Sequence, residues 1–343
     1  MSEPETLCIR ADANSEIGIG HVMRCLALAQ AWQDRGGRVR FISAIEAPAL
    51  VGRLQSEQME VAPMTAQPGS DEDLRLTINA ATGAKWLVLD GYHFTKDYML
   101  GVQESGLHLL LIDDLADRDL GDIEAVLNQN AYATEAMHAR FHRVPRLLLG
   151  AGYTLLRREF VKNRGSKEIA QEGRRVLITL GGADVPNATL QVLRALRQVK
   201  SALQVRVVVG VANRHLDSLE AEVPNLSQHA VSLLVDPPDM PALMKWSDVT
   251  ITAAGSSCWE LCCLGVPLLM LVTAENQRLM PGYFRQHDIA EVFGELTEAR
   301  VGEFAERLAG LLADAERRAQ LSKAAALVVD GAGAERAVRF MMG

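Results

Sequence analysis

Short, continuously apolar segments alternate along the chain with stretches whose apolar positions recur every three or four residues. In the first half, "TLCIRA", "VRFISA", "WLVLD", "LHLLLID" and "AVLNQN" are apolar runs bounded by Gly, Asp or Asn. Such runs fit strands covered on both faces, as in a parallel sheet. Between the first two, Val22, Leu26, Ala29 and Trp32 recur at helical spacing and Gly36 follows as a stop. This is one strand–helix–strand unit.

Residues 157–174 lose the apolar runs and gain charge, which marks a linker. Beyond it, "RRVLITLGGAD", "VRVVVGVA", "DVTITAAGSS" and "PLLMLVT" read as strands again, with helical patterns such as "NATLQVLRALRQV" between them. The expected organisation is an α/β chain of two Rossmann-like parallel-sheet domains, 1–156 and 175–328, with a C-terminal helix over 329–343 that could return to the first domain. Right-handed crossovers and open parallel sheets place ligands beyond the carboxyl ends of the strands, and two such domains facing each other would make an interdomain cleft.

Composition narrows the function. A net charge of −8 over 343 residues argues against a broad nucleic-acid-binding face, so an anionic ligand must be held locally. The five cysteines lack CxxC spacing and read as reduced, buried thiols. No apolar stretch reaches the roughly 18 residues of a membrane helix, and a soluble cytoplasmic protein is expected.

The candidate chemistry lies at strand ends. In "EIGIGHVMRC", Gly18 and Gly20 allow positive φ and close backbone approach, and His21 opens the helix that follows. The spacing is not GxGxxG, which disfavours a dinucleotide site. His21 either simply starts the helix or, kept neutral by the positive helix end, serves as a general base. In "TAAGSSCWELCCLGVP", Gly255, Ser256 and Ser257 precede a helix whose exposed N–H groups suit a diphosphate, and Glu260 shares their face within reach of ribose hydroxyls. A merely capped helix remains the alternative; "AGSSC" lacks the nucleophile elbow GxSxG. Gly181 and Gly182 in "LGGAD" suit a second phosphate contact, and the amides of Asn276 and Gln277 in "TAENQ" suit sugar or phosphate oxygens or a polar turn. Asp90, Tyr92, Asp113 and Asp114 also sit at strand ends, some as caps. His138 and His142 have the spacing of a metal pair but no third ligand, so neither metal nor cofactor is expected.

With "RADANSEIGIGHVMRC", "DGYH", "LIDDLA", "YTLLRREF", "LGGAD" and "AAGSSCWELCCLGVP…ENQ" in order, the chain resembles the UDP-sugar hydrolases of the pseudaminic acid pathway. That resemblance implies the GT-B fold, similarity to the inverting glycosyltransferase of peptidoglycan lipid-intermediate synthesis, and water in place of a sugar acceptor. It implies hydrolysis of UDP-2,4-diacetamido-2,4,6-trideoxy-β-L-altropyranose, with no required metal. Carried onto this sequence, it makes His21 the base, puts Tyr92 and Asn276 at the substrate, and puts Gly255, Ser256, Ser257 and Glu260 at the nucleotide; Arg10, Gly18, Gly20 and Gln277 are further expected at the substrate, and Gly181 and Gly182 at the nucleotide. A UDP-sugar would then be the small-molecule partner, with no nucleic acid, membrane or obligate protein partner. Competing expectations are an inverting glycosyltransferase, a UDP-sugar 2-epimerase, or a non-catalytic UDP-sugar-binding protein.

Overall fold

A computed structural model describes residues 4–14, 17–117, 123–138, 146–165 and 167–343. It divides into two compact units, Met1–Arg158 with Gly331–Gly343, and Glu159–Asp330.

The first unit is built on a parallel sheet of seven described strands: β1 (Thr6–Ala11), β2 (Arg38–Ser43), β3 (Glu60–Pro63), β4 (Trp86–Asp90), β5 (His108–Ile112), β6 (Ala125–Asn128) and β7 (Arg146–Leu149). Their spatial order is β3-β2-β1-β4-β5-β6-β7. Side chains alternate between two core layers. Leu7, Ile9 and Val88 pack with Val22, Leu26 and Trp32 of helix Gly20–Asp34, whereas Cys8, Leu87 and Leu89 pack with Tyr98, Met99 and Val102. Both faces being covered explains why the central strands read as unbroken apolar runs.

The second unit repeats the design with six described strands: β8 (Arg175–Thr179), β9 (Gln204–Val209), β10 (Ala230–Val235), β11 (Val249–Ala253), β12 (Leu268–Leu271) and β13 (Glu291–Gly294). All pair in parallel, in the order β10-β9-β8-β11-β12-β13. In each sheet the order reverses once, between β1 and β4 and between β8 and β11. At such a switch point the loops after two neighbouring strands turn to opposite faces and leave room for a ligand.

Two features depart from the sequence reading. The charged stretch over 157–174 opens as helix Arg158–Lys162, which buries Phe160, and the boundary between units falls inside that helix. The strands β3, β7, β10 and β13, not expected from apolar runs, are the four sheet edges. Most of their positions are exposed or half-buried, so their sequences need not be continuous apolar runs.

The final helix, Gly333–Met342, belongs to the first unit. Ala334, Ala337, Val338 and Met341 are buried in the same layer as helix Gly20–Asp34, and the Trp86 indole donates to the Met341 carbonyl at 2.7 Å.

Candidate active site at the first switch point

The chain leaves β1, passes Asn14 and Gly18, and enters helix Gly20–Asp34. Gly18 has φ of 73°, a conformation that favours glycine, and its N–H donates to the Asn14 carbonyl at 2.9 Å. A Cβ on Gly18 or Gly20 would meet no atom of the described residues within 4 Å. His21 is the second residue of that helix.

Asp90 ends β4, the neighbour of β1 across the switch point. The His21 Nδ1 lies 2.6 Å from Asp90 Oδ1. Arg24, one turn further along the helix, grips the same carboxylate with Nε and Nη2, both at 2.6 Å, and donates from Nη1 to Asp114 Oδ2 at 2.7 Å. Asp114 also accepts from Asn130 Nδ2 at 2.8 Å and from the Tyr92 hydroxyl at 3.3 Å. The Tyr92 ring meets the His21 ring edge-on, with centroids 5.2 Å apart. Loops after β1, β4, β5 and β6 thus converge on one polar cluster.

The electrostatics fix the histidine's proton. Asp90 is fully buried, and desolvation alone would raise its pKa, yet Arg24 and His21 together hold it well below the usual carboxylate range. An ionised carboxylate only accepts, so the His21 nitrogen facing it must carry the hydrogen. In neutral imidazole the lone pair then resides on Nε2, which makes no hydrogen bond among the described residues. The side chain keeps 11% of its surface accessible. Such a pair can take a proton from a water or hydroxyl brought to Nε2, while Asp90 stabilises the imidazolium that results. The sequence reading rested the histidine's character on the helix end; the carboxylate 69 residues away is the stronger determinant of its tautomer.

One expected substrate residue is placed elsewhere. Arg10 is fully buried, with Nε and Nη2 donating to Asp73 at 2.9 and 2.8 Å and Nη1 donating to Asp12. A guanidinium enclosed by two carboxylates has no surface for a ligand; it ties β1 to helix Asp71–Ala80, and the expectation that it touches substrate is corrected. Tyr92, by contrast, is 40% exposed.

In the second unit the expected residues gather at the other switch point. Gly181 and Gly182 follow β8; Gly181 has φ of 101°, and the Gly182 backbone packs so closely on Gly210 that a Cβ there would overlap it. Across the switch, β11 runs into Gly255, exposed Ser256 and helix Ser257–Cys263. The N–H of Gly255 turns back to Ala253, whereas those of Ser256 and Ser257 have no backbone acceptor among the described residues and Ser256 provides no side-chain cap. Glu260 is half-buried on this helix. After β12, exposed Asn276 is available at the surface, but the Gln277 carbonyl accepts from Thr273 N and Oγ1 at 2.9 and 3.2 Å, holding its own turn.

The metal-pair reading fares differently at its two ends: His138 is buried with Nδ1 3.1 Å from the Thr134 carbonyl, and His142 lies outside the described residues. Among the described residues no three His, Cys, Asp or Glu cluster as metal ligands, and no helix is long and apolar enough to cross a membrane. All five cysteines are buried free thiols.

Residues 175–336 match the family described as glycosyltransferase family 28 C-terminal domain. The chain is 27% identical over 276 residues to the UDP-2,4-diacetamido-2,4,6-trideoxy-β-L-altropyranose hydrolase of Campylobacter jejuni, covering 78% of this chain and 92% of that protein. It is 25% identical over 272 residues to the spore coat polysaccharide biosynthesis protein SpsG of Bacillus subtilis, covering 78% of each. The crystal structure of MurG from Acinetobacter baumannii aligns over 99% of both chains with a TM-score of 0.68 at 14% identity. The expected GT-B architecture is therefore present.

Proposed function

We propose that this chain, a GT-B protein carrying a glycosyltransferase family 28 C-terminal domain, is an enzyme that hydrolyses a UDP-linked 2,4-diacetamido-2,4,6-trideoxy sugar. The observation that carries the reading is the His21–Asp90 pair, which leaves Nε2 without a hydrogen bond among the described residues. The relative at 27% identity gives the substrate class its support.

Water held at Nε2 gives one proton to His21 as its oxygen attacks C1. The C1–O bond to UDP breaks on the opposite side, its electron pair leaves on the diphosphate, and C1 inverts. General-base help of this kind contributes about 10²- to 10⁴-fold in rate. Roles divide by unit. The first supplies the base and, at Tyr92, a contact to the sugar. In the second, the N–H groups of Gly181, Gly182, Ser256 and Ser257 suit a diphosphate, Glu260 suits a ribose, and the Asn276 amide suits a sugar hydroxyl. Oriented N–H dipoles meet the charge on departing UDP, so this reading invokes no metal or cofactor.

An acceptor sugar in place of water is the second reading, favoured by the family 28 match. Incubation of the UDP-diacetamido sugar in ¹⁸O-water without acceptor, followed by NMR, separates them. Hydrolysis gives UDP and free sugar labelled at C1 with inverted configuration; epimerisation changes C2 as well; a transferase or a binding protein releases no UDP at a comparable rate. His21→Asn should abolish UDP release while UDP still binds, and turnover near the parent rate would reject the assignment.

A further inference from the structure

Away from both switch points, the second unit contains a cavity of about 430 Å³, within the range of small-molecule sites. One wall is a face of helix Ala315–Val328, where Ala319, Ser322, Lys323 and Ala326 stand at i, i+3, i+4 and i+7. Ser322 Oγ donates to the Gly265 carbonyl at 2.6 Å, closing that helix onto the end of helix Ser257–Cys263, and buried Cys263 faces the same space. The opposite wall is the segment carrying Arg164, Gly165, Lys167 and Ile169. At the rim Leu327 is 79% exposed, an unusual setting for a large aliphatic side chain.

The charge of this cavity runs against the rest of the molecule. Its lining includes Arg164, Lys167 and Lys323 and no carboxylate, in a chain of net charge −8. None of the three makes an ion pair among the described residues. Arg164 spends Nε and Nη2 on the carbonyls of Val329 and Ala326 at 3.4 and 3.3 Å, and Lys167 donates to the Lys245 carbonyl at 2.5 Å. An ammonium has three donors, so Lys167 retains two. Burial brings its pKa down to about 8 although Asp248 pulls it upward, with Arg175 and Lys245 adding to the fall. Arg175, by contrast, is paired with Asp248 at 2.8 Å. Three unpaired cations around an apolar floor complement an anionic head on an apolar body.

We propose that this cavity is a binding site for a single-chain amphiphilic anion, its carboxylate or phosphate head held by Lys167, Lys323 and Arg164 and its apolar body laid between Ile169, Cys263, Ala326 and Leu327. The site is independent of the hydrolytic reading, since none of these residues serves the reaction.

Calorimetric titration of the full-length protein with decanoate, decyl phosphate, decanol and inorganic phosphate tests it. Both amphiphilic anions should bind at one site per chain, and the stronger of the two identifies the preferred head; decanol and inorganic phosphate should each bind at least tenfold more weakly. Lys323 is exposed, so Lys323→Glu keeps the fold, and it should weaken decanoate about tenfold. Ala326→Phe, which fills the cavity, should abolish binding, while UDP release stays at the parent rate in both variants. Equal binding of decanol and decanoate, or decanoate affinity unchanged in Lys323→Glu, would overturn the proposal whatever the state of the variant at 326.

Discussion

The imidazole of His21 and the carboxylate of Asp90 are joined at 2.6 Å although 69 residues separate them, because β1 and β4 are neighbours at the point where the strand order turns back. Asp90 Oδ1 takes both the His21 N–H and an Arg24 N–H, so one buried oxygen sets the ring's tautomer and its orientation together. The Asp90→Asn variant should therefore bind UDP as the parent does while losing about 10²- to 10⁴-fold in kcat, since an amide facing Nδ1 donates and moves the ring proton to Nε2. Single-turnover UDP release checks this. A loss in UDP affinity with kcat preserved would show that the pair positions nucleotide instead.

The same contacts govern acid stability. Asp90, Asp73 and Asp248 each have a folded-state pKa below the unfolded value: burial opposes this in every case, and Arg24, Arg10 and Arg175 respectively outweigh it. With depressed folded pKa values, the unfolded chain binds more protons in acid. Their contribution is present above about pH 4 and is lost as pH falls through the folded values. Urea unfolding at pH 7, 5, 4 and 3 should show stability falling on the acid side. Asp90→Asn should cost about 3 kcal/mol at pH 7, by leaving Arg24 with only Asp114, and should flatten the acid limb. A limb of unchanged steepness would assign it to other carboxylates.

Tyr92 stands at the exposed side of the cluster. Its hydroxyl reaches Asp114 only at 3.3 Å and 40% of the residue is exposed, so Tyr92→Phe should change folding stability by less than about 0.5 kcal/mol. If the phenol contacts the sugar, KM for the UDP-sugar should rise about three- to tenfold with UDP inhibition unchanged. A matching rise in the UDP inhibition constant would move Tyr92 from sugar to nucleotide recognition.

Gly210 is a residue that the sequence patterns did not single out. Its α-carbon lies against the Gly182 carbonyl and Cα, so Gly210→Ala must displace the backbone of the loop proposed to meet the diphosphate. UDP affinity should fall at least about tenfold, because N–H donors shifted by even 1 Å lose their geometry. Calorimetry with UDP measures it; parent-like affinity would free this loop from any nucleotide role.

How much of this was legible beforehand follows from what a local pattern can carry. Val22, Leu26, Ala29 and Trp32 repeat at helical spacing because one helix face is wholly buried, and all four have no exposed surface. Of the two glycines expected to allow positive φ, Gly18 adopts it, whereas Gly20 opens the helix without it. Pairings between distant residues leave no such mark. "LDGYH" shows an acid at the end of a strand, yet only the strand order brings Asp90 to His21 rather than leaving it as a cap. Arg10 illustrates the converse: it was expected at the substrate, but Asp73, 63 residues on, claims its guanidinium. Edge strands such as "EVAP" in β3 were invisible for a different reason, since half-exposed positions need not be apolar.

The last helix connects stability to chemistry. Gly333–Met342 packs against helix Gly20–Asp34, whose first turns carry His21 and Arg24, and Gly333 sits so tightly on Thr154 that a Cβ would overlap its backbone. Met341 is buried in that shared layer, whereas Arg339 makes only an exposed pair with Glu335 at 2.7 Å. Met341→Ala should cost about 2–4 kcal/mol through the lost burial and the cavity left behind, and Arg339→Ala less than about 0.5 kcal/mol. Urea unfolding reads both. Because the lost packing lies behind the helix that aims His21, Met341→Ala should also lower kcat more than it raises KM, even under conditions where the protein remains folded. Equal stability costs at the two positions, or a kcat that stays at the parent value while stability drops, would mean that this helix covers the core without steadying the catalytic pair.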